Sequence, residues 1–335
     1  AAGRCDMTPD SRVYVAGHTG LAGSALERAL RARGYSNVIT RTSAELDLTN
    51  SHATAFFFQR EKPEIVFLAA AKVGGILANH NHPAEFISQN LAIQANVIHE
   101  AWRAGVRRLV FLSSSCIYPR DCAQPIREDY LLTGPLEVTN RAFAVAKIAG
   151  IEMCWAYNRQ YGTRYFCAMS TNLYGLNDTY DLEGGHVLPA MMRRFHEAKL
   201  RGDKKVLMWG TGAPLREFLD SDDLADACLH LMHLPADQET AMLNGTTPPL
   251  INIGCGEEVS IRDLAYMVRS AVGADHIDIE WDSTKPDGTP RKLLDLSRLN
   301  ATGWRPRMQF EDGLRRAYAD YLALVGHRRR AGALA

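Results

Sequence analysis

The sequence predicts an α/β fold, a doubly wound parallel sheet followed by a smaller C-terminal lobe, and three features of the chain predict it. Short β-branched runs alternate with longer amphipathic segments as far as Gly175, the pattern of a sheet covered by helices on both faces. The apolar runs stay short: residues 65–71 form a run of seven, against the roughly 20 needed to cross a bilayer. Past Asn177 the alternation becomes irregular, broken by Gly184-Gly185, Gly210-Thr211-Gly212-Ala213-Pro214 and Asn244-Gly245-Thr246-Thr247-Pro248-Pro249, which punctuate shorter elements.

In chain order, the first strand is expected over 12–16, where Val13-Tyr14-Val15 precedes a glycine, and the first helix over 21–33. Strands follow at 37–40, 65–69, 108–112 and 165–169, with helices over 83–104 and 140–161. The helical segments carry apolar residues at three- and four-residue spacing, while the strands are β-branched. Residues 12–178 are thus read as a nucleotide-binding domain, to which 206–235 return as another βα unit, and 179–325 as mainly a substrate-binding domain. The chain has 335 residues, long enough for two such lobes.

Composition narrows the function classes. With 46% hydrophobic and 23% charged residues, and 38 Lys+Arg balancing 38 Asp+Glu, the chain is neither disordered nor built to coat a polyanion, so no nucleic-acid and no membrane partner is expected. The start, Ala1-Ala2-Gly3-Arg4-Cys5-Asp6, lacks the apolar core of a secretory signal, and a cytoplasmic location is expected. That start and the internal Met7 point to an expression remnant or a processed leader. The seven cysteines, at 5, 116, 122, 154, 167, 228 and 255, contain no Cys-x-x-Cys pair, which encourages neither a disulfide framework nor a metal site. Arg328-Arg329-Arg330 reads as a solvated tail, and Lys199, Arg201, Lys204 and Lys205 as a solvated charge run.

The first strand runs into Gly17-His18-Thr19-Gly20-Leu21-Ala22-Gly23. Between a strand and a helix, such glycines permit a tight turn and let backbone N–H groups and the helix N-terminus approach a pyrophosphate. This makes the domain a Rossmann-type dinucleotide site. About 20 residues on, where an NAD site offers an acid to the ribose, the chain has Arg41, which suits a 2′-phosphate, so NADP(H) is expected. The cofactor set is Gly17, Thr19, Gly20, Leu21, Ala22, Gly23, Arg41, Asp47, Leu48 and Ala70, with Asp47 placed for the adenine amino group.

The strand at 109–112 delivers Ser113-Ser114-Ser115-Cys116-Ile117-Tyr118-Pro119 to the carboxyl edge of the sheet, and Lys147 lies four residues after Phe143 on the 140–161 helix. The glycine loop, the serine-bearing strand end and the aromatic-x-x-x-Lys helix resemble the extended short-chain dehydrogenase/reductases over almost the whole chain. Further strings sharpen the likeness: Ala70-Ala71-Lys72-Val73-Gly74-Gly75-Ile76, Ala146-Lys147-Ile148-Ala149-Gly150, Thr171-Asn172-Leu173-Tyr174-Gly175, His186-Val187-Leu188-Pro189 and Trp209-Gly210-Thr211-Gly212. They resemble the branch of NADP-dependent 3,5-epimerase/4-reductases that convert GDP-4-keto-6-deoxy-D-mannose to GDP-L-fucose. That resemblance implies Ser114 and Lys147 as reductase residues, Cys116 and His186 as an epimerisation pair, and Asn172, Arg194, Trp209, Arg216 and Lys285 as contacts to the GDP-sugar. It adds Lys147 and His186 to the cofactor set and implies a homodimer formed through the two long helices.

One position departs from the resemblance: the superfamily's catalytic tyrosine falls on Phe143. Phenylalanine keeps the ring and deletes the acid that protonates the developing alkoxide, and a positioned general acid is worth about 10²- to 10⁴-fold. The chain is therefore expected to bind NADPH and substrate but to reduce poorly. Two accounts stand, an introduced Tyr→Phe exchange that traps a ligand and a natural enzyme that epimerises without reducing. Tyr118 as a replacement acid would lose the helical spacing to Lys147.

The epimerisation chemistry has its own logic. Protons flanking a ketone are acidified because the carbanion is an enolate, so inversion needs a base on one face and an acid on the other. A thiol with a pKa of about 8.5 and an imidazole of about 6.5 suit that exchange near neutrality. The plainer readings are a packed cysteine and a helix-capping histidine. Arg194, Arg216 and Lys285 offer fixed charge to a diphosphate, Arg216 best because a turn fixes it. Asp222-Asp223 begins the next helix. Alternatives are a GDP-colitose-type enzyme and a non-catalytic binding module; a 4,6-dehydratase is disfavoured because Ser115-Cys116 offers no carboxylate.

Overall fold

Val13–Ala16, Ile65–Leu68, Arg108–Ser114 and Leu250–Ile253 are buried along nearly their whole length, as strands covered on both faces must be, and this explains their almost unbroken apolar sequences. The computed structural model describes residues 7–182, 185–285 and 287–332. Cys5 and Gly184 lie outside the described residues, as do the side chains of Arg328, Arg329 and Arg330. The six-stranded sheet is parallel, in the order Leu250–Ile253, Arg164–Ser170, Arg108–Ser114, Ile65–Leu68, Val13–Ala16, Val38–Ile39. The winding direction reverses after Val13–Ala16, whose neighbours are the second and third strands, so a crevice opens at the carboxyl ends of Val13–Ala16 and Ile65–Leu68.

One face of the sheet is packed by Ser51–Glu61, Pro83–Arg103 and Arg141–Tyr161 around Phe57, Phe58, Val97, Ile98, Phe111 and Ile151. The other is packed by Leu21–Ala32 and Ser221–Met232 around Leu26, Leu30, Phe67, Leu224 and Leu229. The helix Ser221–Met232 is capped by Asp220, whose carboxylate accepts from Asp222 N at 2.8 Å, rather than by Asp222 itself. Asp222 instead pairs with Arg28 at 2.6 Å and with Arg316.

A third core belongs to the second lobe, where Val187–Arg201, Ile261–Val272 and Phe310–Gly332 pack through Leu188, Phe195, Val206, Leu264, Val268 and Leu314. The expected return of 206–235 divides. Lys205–Trp209 pairs with Asp278–Asp282 outside the six-stranded sheet, whereas Ser221–Met232 does pack on Leu21–Ala32. The strand that joins the main sheet is Leu250–Ile253, from within the region assigned to the substrate lobe. No described helix is long and apolar enough to cross a membrane.

Candidate functional site

The crevice begins with backbone. Gly17 takes φ +86°, and a Cβ there would lie 2.6 Å from Ala70 N; a Cβ on Gly23 would run into the carbonyl oxygen of Gly17. Only hydrogen fits at either position. Gly20 caps the helix Leu21–Ala32 without a side-chain acceptor, so the first-turn N–H groups remain available to an anion. The buried Nδ1 of His18 has no hydrogen-bond partner. Together the tight cradle, the open helix end and the orphaned donor fit a dinucleotide's diphosphate. Thr19 is tied to the second lobe, its carbonyl accepting from Asn177 Nδ2 at 3.1 Å while Asn177 N donates to Asp320 Oδ2 at 2.9 Å.

At the far end of the cradle, Arg41 donates to Thr40 O at 2.7 Å and Glu61 Oε1 at 2.8 Å, which orients its guanidinium beside the second strand. Asp47 accepts from Thr49 N and Oγ1, so its carboxyl is held below its ordinary range by its own turn. Leu48 beside it is buried and Ala70 half-buried at the end of the third strand.

Ser114 ends the strand Arg108–Ser114 half-exposed, and Cys116 follows in a short 3₁₀ turn, buried. Burial pushes the Cys116 thiol up, opposed first by the charge of Lys292, then by a hydrogen bond from Ser114 and the charge of Lys147. Lys147 is buried on the helix Arg141–Tyr161 and donates to Leu112 O at 2.9 Å. Its ammonium sits 4.7 Å from the Phe111 ring centre and 5.7 Å from that of Phe143. Desolvation brings it from 10.5 down to about 8. Phe143 packs edge-on against Phe86, ring centres 6.3 Å apart. Tyr118 is no replacement acid: its buried hydroxyl donates to Asn252 Oδ1 at 2.5 Å, and burial raises it further out of range.

His186 is the N-cap residue of Val187–Arg201, yet its side chain makes no capping bond, which removes the plain helix-cap reading. The residue is exposed at the surface, yet the protein packed around it lowers its pKa by desolvation. Cys116 and His186 come from different lobes and make no hydrogen bond to each other among the described residues.

The phosphate candidates part company. Arg216 is half-buried in the strand Leu215–Arg216 and bonds Leu215 O at 2.7 Å; Arg194 bonds Leu207 O at 3.2 Å. Desolvation lowers both, and neither has a carboxylate partner among the described residues. Lys285 is exposed and lies over the Trp209 ring at 5.6 Å, with Trp209 itself 64% exposed. Asn172 Nδ2 donates to Glu217 O at 2.9 Å. Sequence reasoning missed Glu217, Asp287 and Lys292. The buried Glu217 carboxylate accepts from Gly256 N at 2.7 Å and Leu294 N at 3.3 Å, clamping the strand of Arg216 to that of Lys292. Asp287 accepts from Thr211 N and Oγ1, both at 2.7 Å, and so fixes the Gly210-Thr211-Gly212 turn. Among the described residues no cluster suits a metal ion.

The profile of the NAD dependent epimerase/dehydratase family matches residues 13–254. The chain belongs to that family. It is 52% identical to GDP-L-fucose synthase 1 of Arabidopsis thaliana over 318 residues, covering 95% of each chain. It is 48% identical to GDP-L-fucose synthase of Escherichia coli over 313 residues, 93% of this chain and 96% of that one. Its fold superposes with a TM-score of 0.87 on a GDP-D-glycero-L-gluco-heptose synthase from Campylobacter jejuni determined in the presence of NADPH. That protein is 37% identical, with 94% of this chain and 99% of the other covered.

Proposed function

We propose that the chain is an NADPH-dependent GDP-sugar enzyme that inverts C3 and C5 of GDP-4-keto-6-deoxy-D-mannose and belongs to the C4 reductases by descent, with the reductive step disabled at Phe143. The observation that carries the proposal is the convergence of Cys116, Ser114 and Lys147 at the carboxyl end of Arg108–Ser114, beside a cradle that only glycines permit. The names and the extent of likeness of the relatives supply the substrate class.

The residues act as follows. Gly17, Gly20 and Gly23, with the open helix end, hold the cofactor diphosphate, Arg41 its 2′-phosphate and Asp47 its adenine. NADPH bound there would supply hydride to C4. Arg216 and Arg194 engage the substrate diphosphate, with Asn172, Trp209 and Lys285 at the rim. Cys116, as thiolate, takes the proton from a carbon flanking the ketone; the C–H electrons enter the enolate, and His186 returns a proton from the other face. Ser114 hydrogen-bonds the ketone oxygen. Lys147 remains to set the local charge, but without a phenol no group delivers its proton to the alkoxide.

A cytosolic homodimer completes the reading. Trp102 and Tyr161 stack at 4.2 Å between ring centres, with Tyr157 and His99 against them, forming an aromatic ridge on the two long helices suited to a second copy.

The test is incubation with the 4-keto sugar nucleotide and NADPH in deuterated water. Deuterium enters C3 and C5 while NADPH oxidation stays low, and Cys116→Ser reduces the exchange about 10²- to 10⁴-fold. Exchange unchanged in Cys116→Ser would remove the thiol from the reaction, and the absence of both exchange and oxidation would make the chain a binder only.

A further inference from the structure

Lys292 is a second lysine in the reacting centre that the mechanism above leaves unused. It lies in the short strand Arg291–Lys292, which pairs parallel with Leu215–Arg216. A cavity of about 10 Å³ is walled by Cys116, Gln124, Glu137, Thr289, Arg291 and Lys292. The sequence offered no reason to prefer this lysine, since Lys285, seven positions earlier, has the same chemistry. The fold distinguishes them: Lys285 rides on Trp209 at the surface, and Lys292 is half-buried and turned inward.

The two lysines near Cys116 also differ in what satisfies them. Lys147 donates to Leu112 O and lies over two aromatic rings. The Lys292 side chain has no hydrogen-bond or ion-pair partner among the described residues, although its backbone pairs with Arg216. The ammonium lines the same small cavity as Cys116, so its field acts on the nearest group there able to become an anion. The groups that face this corner are Cys116, Arg120 and Cys122 from the segment after the fourth strand, Glu137 from the turn before the long helix, which pairs with Arg120 at 3.5 Å, Lys147 on that helix, Arg216 on the neighbouring strand, and Arg291, which is itself paired with Glu258. Arg216 repels Lys292, which leaves Cys116 the first of its anionic partners, ahead of Glu137 and Cys122.

We propose that Lys292 is a positioning residue for epimerisation, its ammonium, on the wall of the cavity it shares with Cys116, easing ionisation of the Cys116 sulfur to the thiolate that takes the substrate proton. The proposal deepens the function above and rests on it for the substrate. Cys116 loses its S–H proton to solvent, the thiolate takes a carbon-bound proton from the ketone's neighbour, and the electrons of that C–H bond pass into the enolate. Lys292 keeps its own proton throughout, and the acid on the opposite face supplies the returning one. Burial disfavours the thiolate and on balance keeps the thiol raised, the charge of Lys292 being the largest effect that opposes burial, so removing that charge raises the thiol further and makes the thiolate rarer.

Thiolate absorbance near 240 nm, taken as the difference between the parent and Cys116→Ser, gives the ionisation of this one sulfur without any substrate. In Lys292→Gln, read against its own Cys116→Ser partner, the midpoint moves up by about one unit or more, the size expected for losing an opposite charge at close range. In Lys292→Arg it returns toward the parent. Carbon-bound deuterium exchange follows the same order, its pH profile displaced upward in Lys292→Gln with the plateau at high pH retained. An unshifted midpoint in Lys292→Gln overturns the proposal, as does a Lys292→Arg protein whose midpoint matches Lys292→Gln. If Lys292→Gln does not fold, Lys292→Arg against the parent decides, because a midpoint moved up by a unit or more there contradicts a purely charge-based role. A displaced midpoint in a protein whose parent exchanges no deuterium sinks the substrate assignment and leaves the Lys292–Cys116 coupling standing.

Discussion

The two ends of the crevice are built from different material. At the cofactor end the shape is made by backbone, where Gly17 and Gly23 leave no room for a Cβ and the helix end presents its own N–H groups. At the proposed reacting end it would be made by side chains from distant parts of the chain: Cys116 after the fourth strand, Lys147 on the helix Arg141–Tyr161, His186 from the other lobe, and Arg216 and Lys292 from a small sheet. A backbone site is either intact or lost. A site of side chains degrades by degrees and can lose one reaction while keeping another, which is what the proposed function requires of a chain that carries Phe143 beside Cys116.

That contrast predicts a hierarchy of effects. Gly23→Ala places a methyl group against the Gly17 carbonyl, where only backbone can yield. NADPH binding falls more than about 100-fold, as a displaced loop loses several charge-assisted hydrogen bonds at once, with circular dichroism reporting a folded protein. Binding within a few-fold of the parent, measured by calorimetry, would contradict a backbone-built cradle. Arg216→Ala removes one charged contact from a set, so KM for the GDP-sugar rises by about 10- to 100-fold. Cofactor affinity stays unchanged, and steady-state exchange kinetics measure the split. Equal losses of both ligands would erase the difference between the two ends.

A smaller effect lies in stability. Lys147 titrates at about 8 in the fold against 10.5 ordinarily, so between those values the unfolded chain binds more protons and the parent gains stability as pH rises. Below about 8 the buried charge is a full burden. Lys147→Met removes it at the expense of the bond to Leu112 O. The difference in melting temperature, variant minus parent, is therefore more positive at pH 6.5 than at pH 10. A difference independent of pH would mean that the lysine is not desolvated as described.

The same contrast explains what could be read from the chain alone. The glycine loop and the first five strands of the sheet are legible because their signals are local: a spacing of three residues, or a run of β-branched residues. The sixth strand, Leu250–Ile253, is not, because Asn252 interrupts its apolar pattern. In the fold that amide is consumed by Tyr118, with Ile126 O and Asp295 O accepting its protons. Ser51–Glu61 carries no helical signal in the sequence because Phe56, Phe57 and Phe58 are adjacent rather than spaced by helical turns, although Asn50 caps it by accepting from Ala53 N at 3.0 Å. Cys116 and Lys147 are singled out by the motifs around them. Lys292 and Glu217 carry no local signal, since their partners lie at Leu294 and Gly256 for Glu217 and in the segment after the fourth strand for Lys292.

The central claim is that the cleft retains its epimerising groups and lacks only a phenol for reduction. NADPH oxidation by Phe143→Tyr with the 4-keto GDP-sugar, measured beside the parent, tests it most directly. A rise of about 10²- to 10⁴-fold with unchanged cofactor affinity is the expected result. A parent that already oxidises NADPH as fast as Phe143→Tyr, or a folded, ligand-binding Phe143→Tyr that still oxidises none, would contradict it.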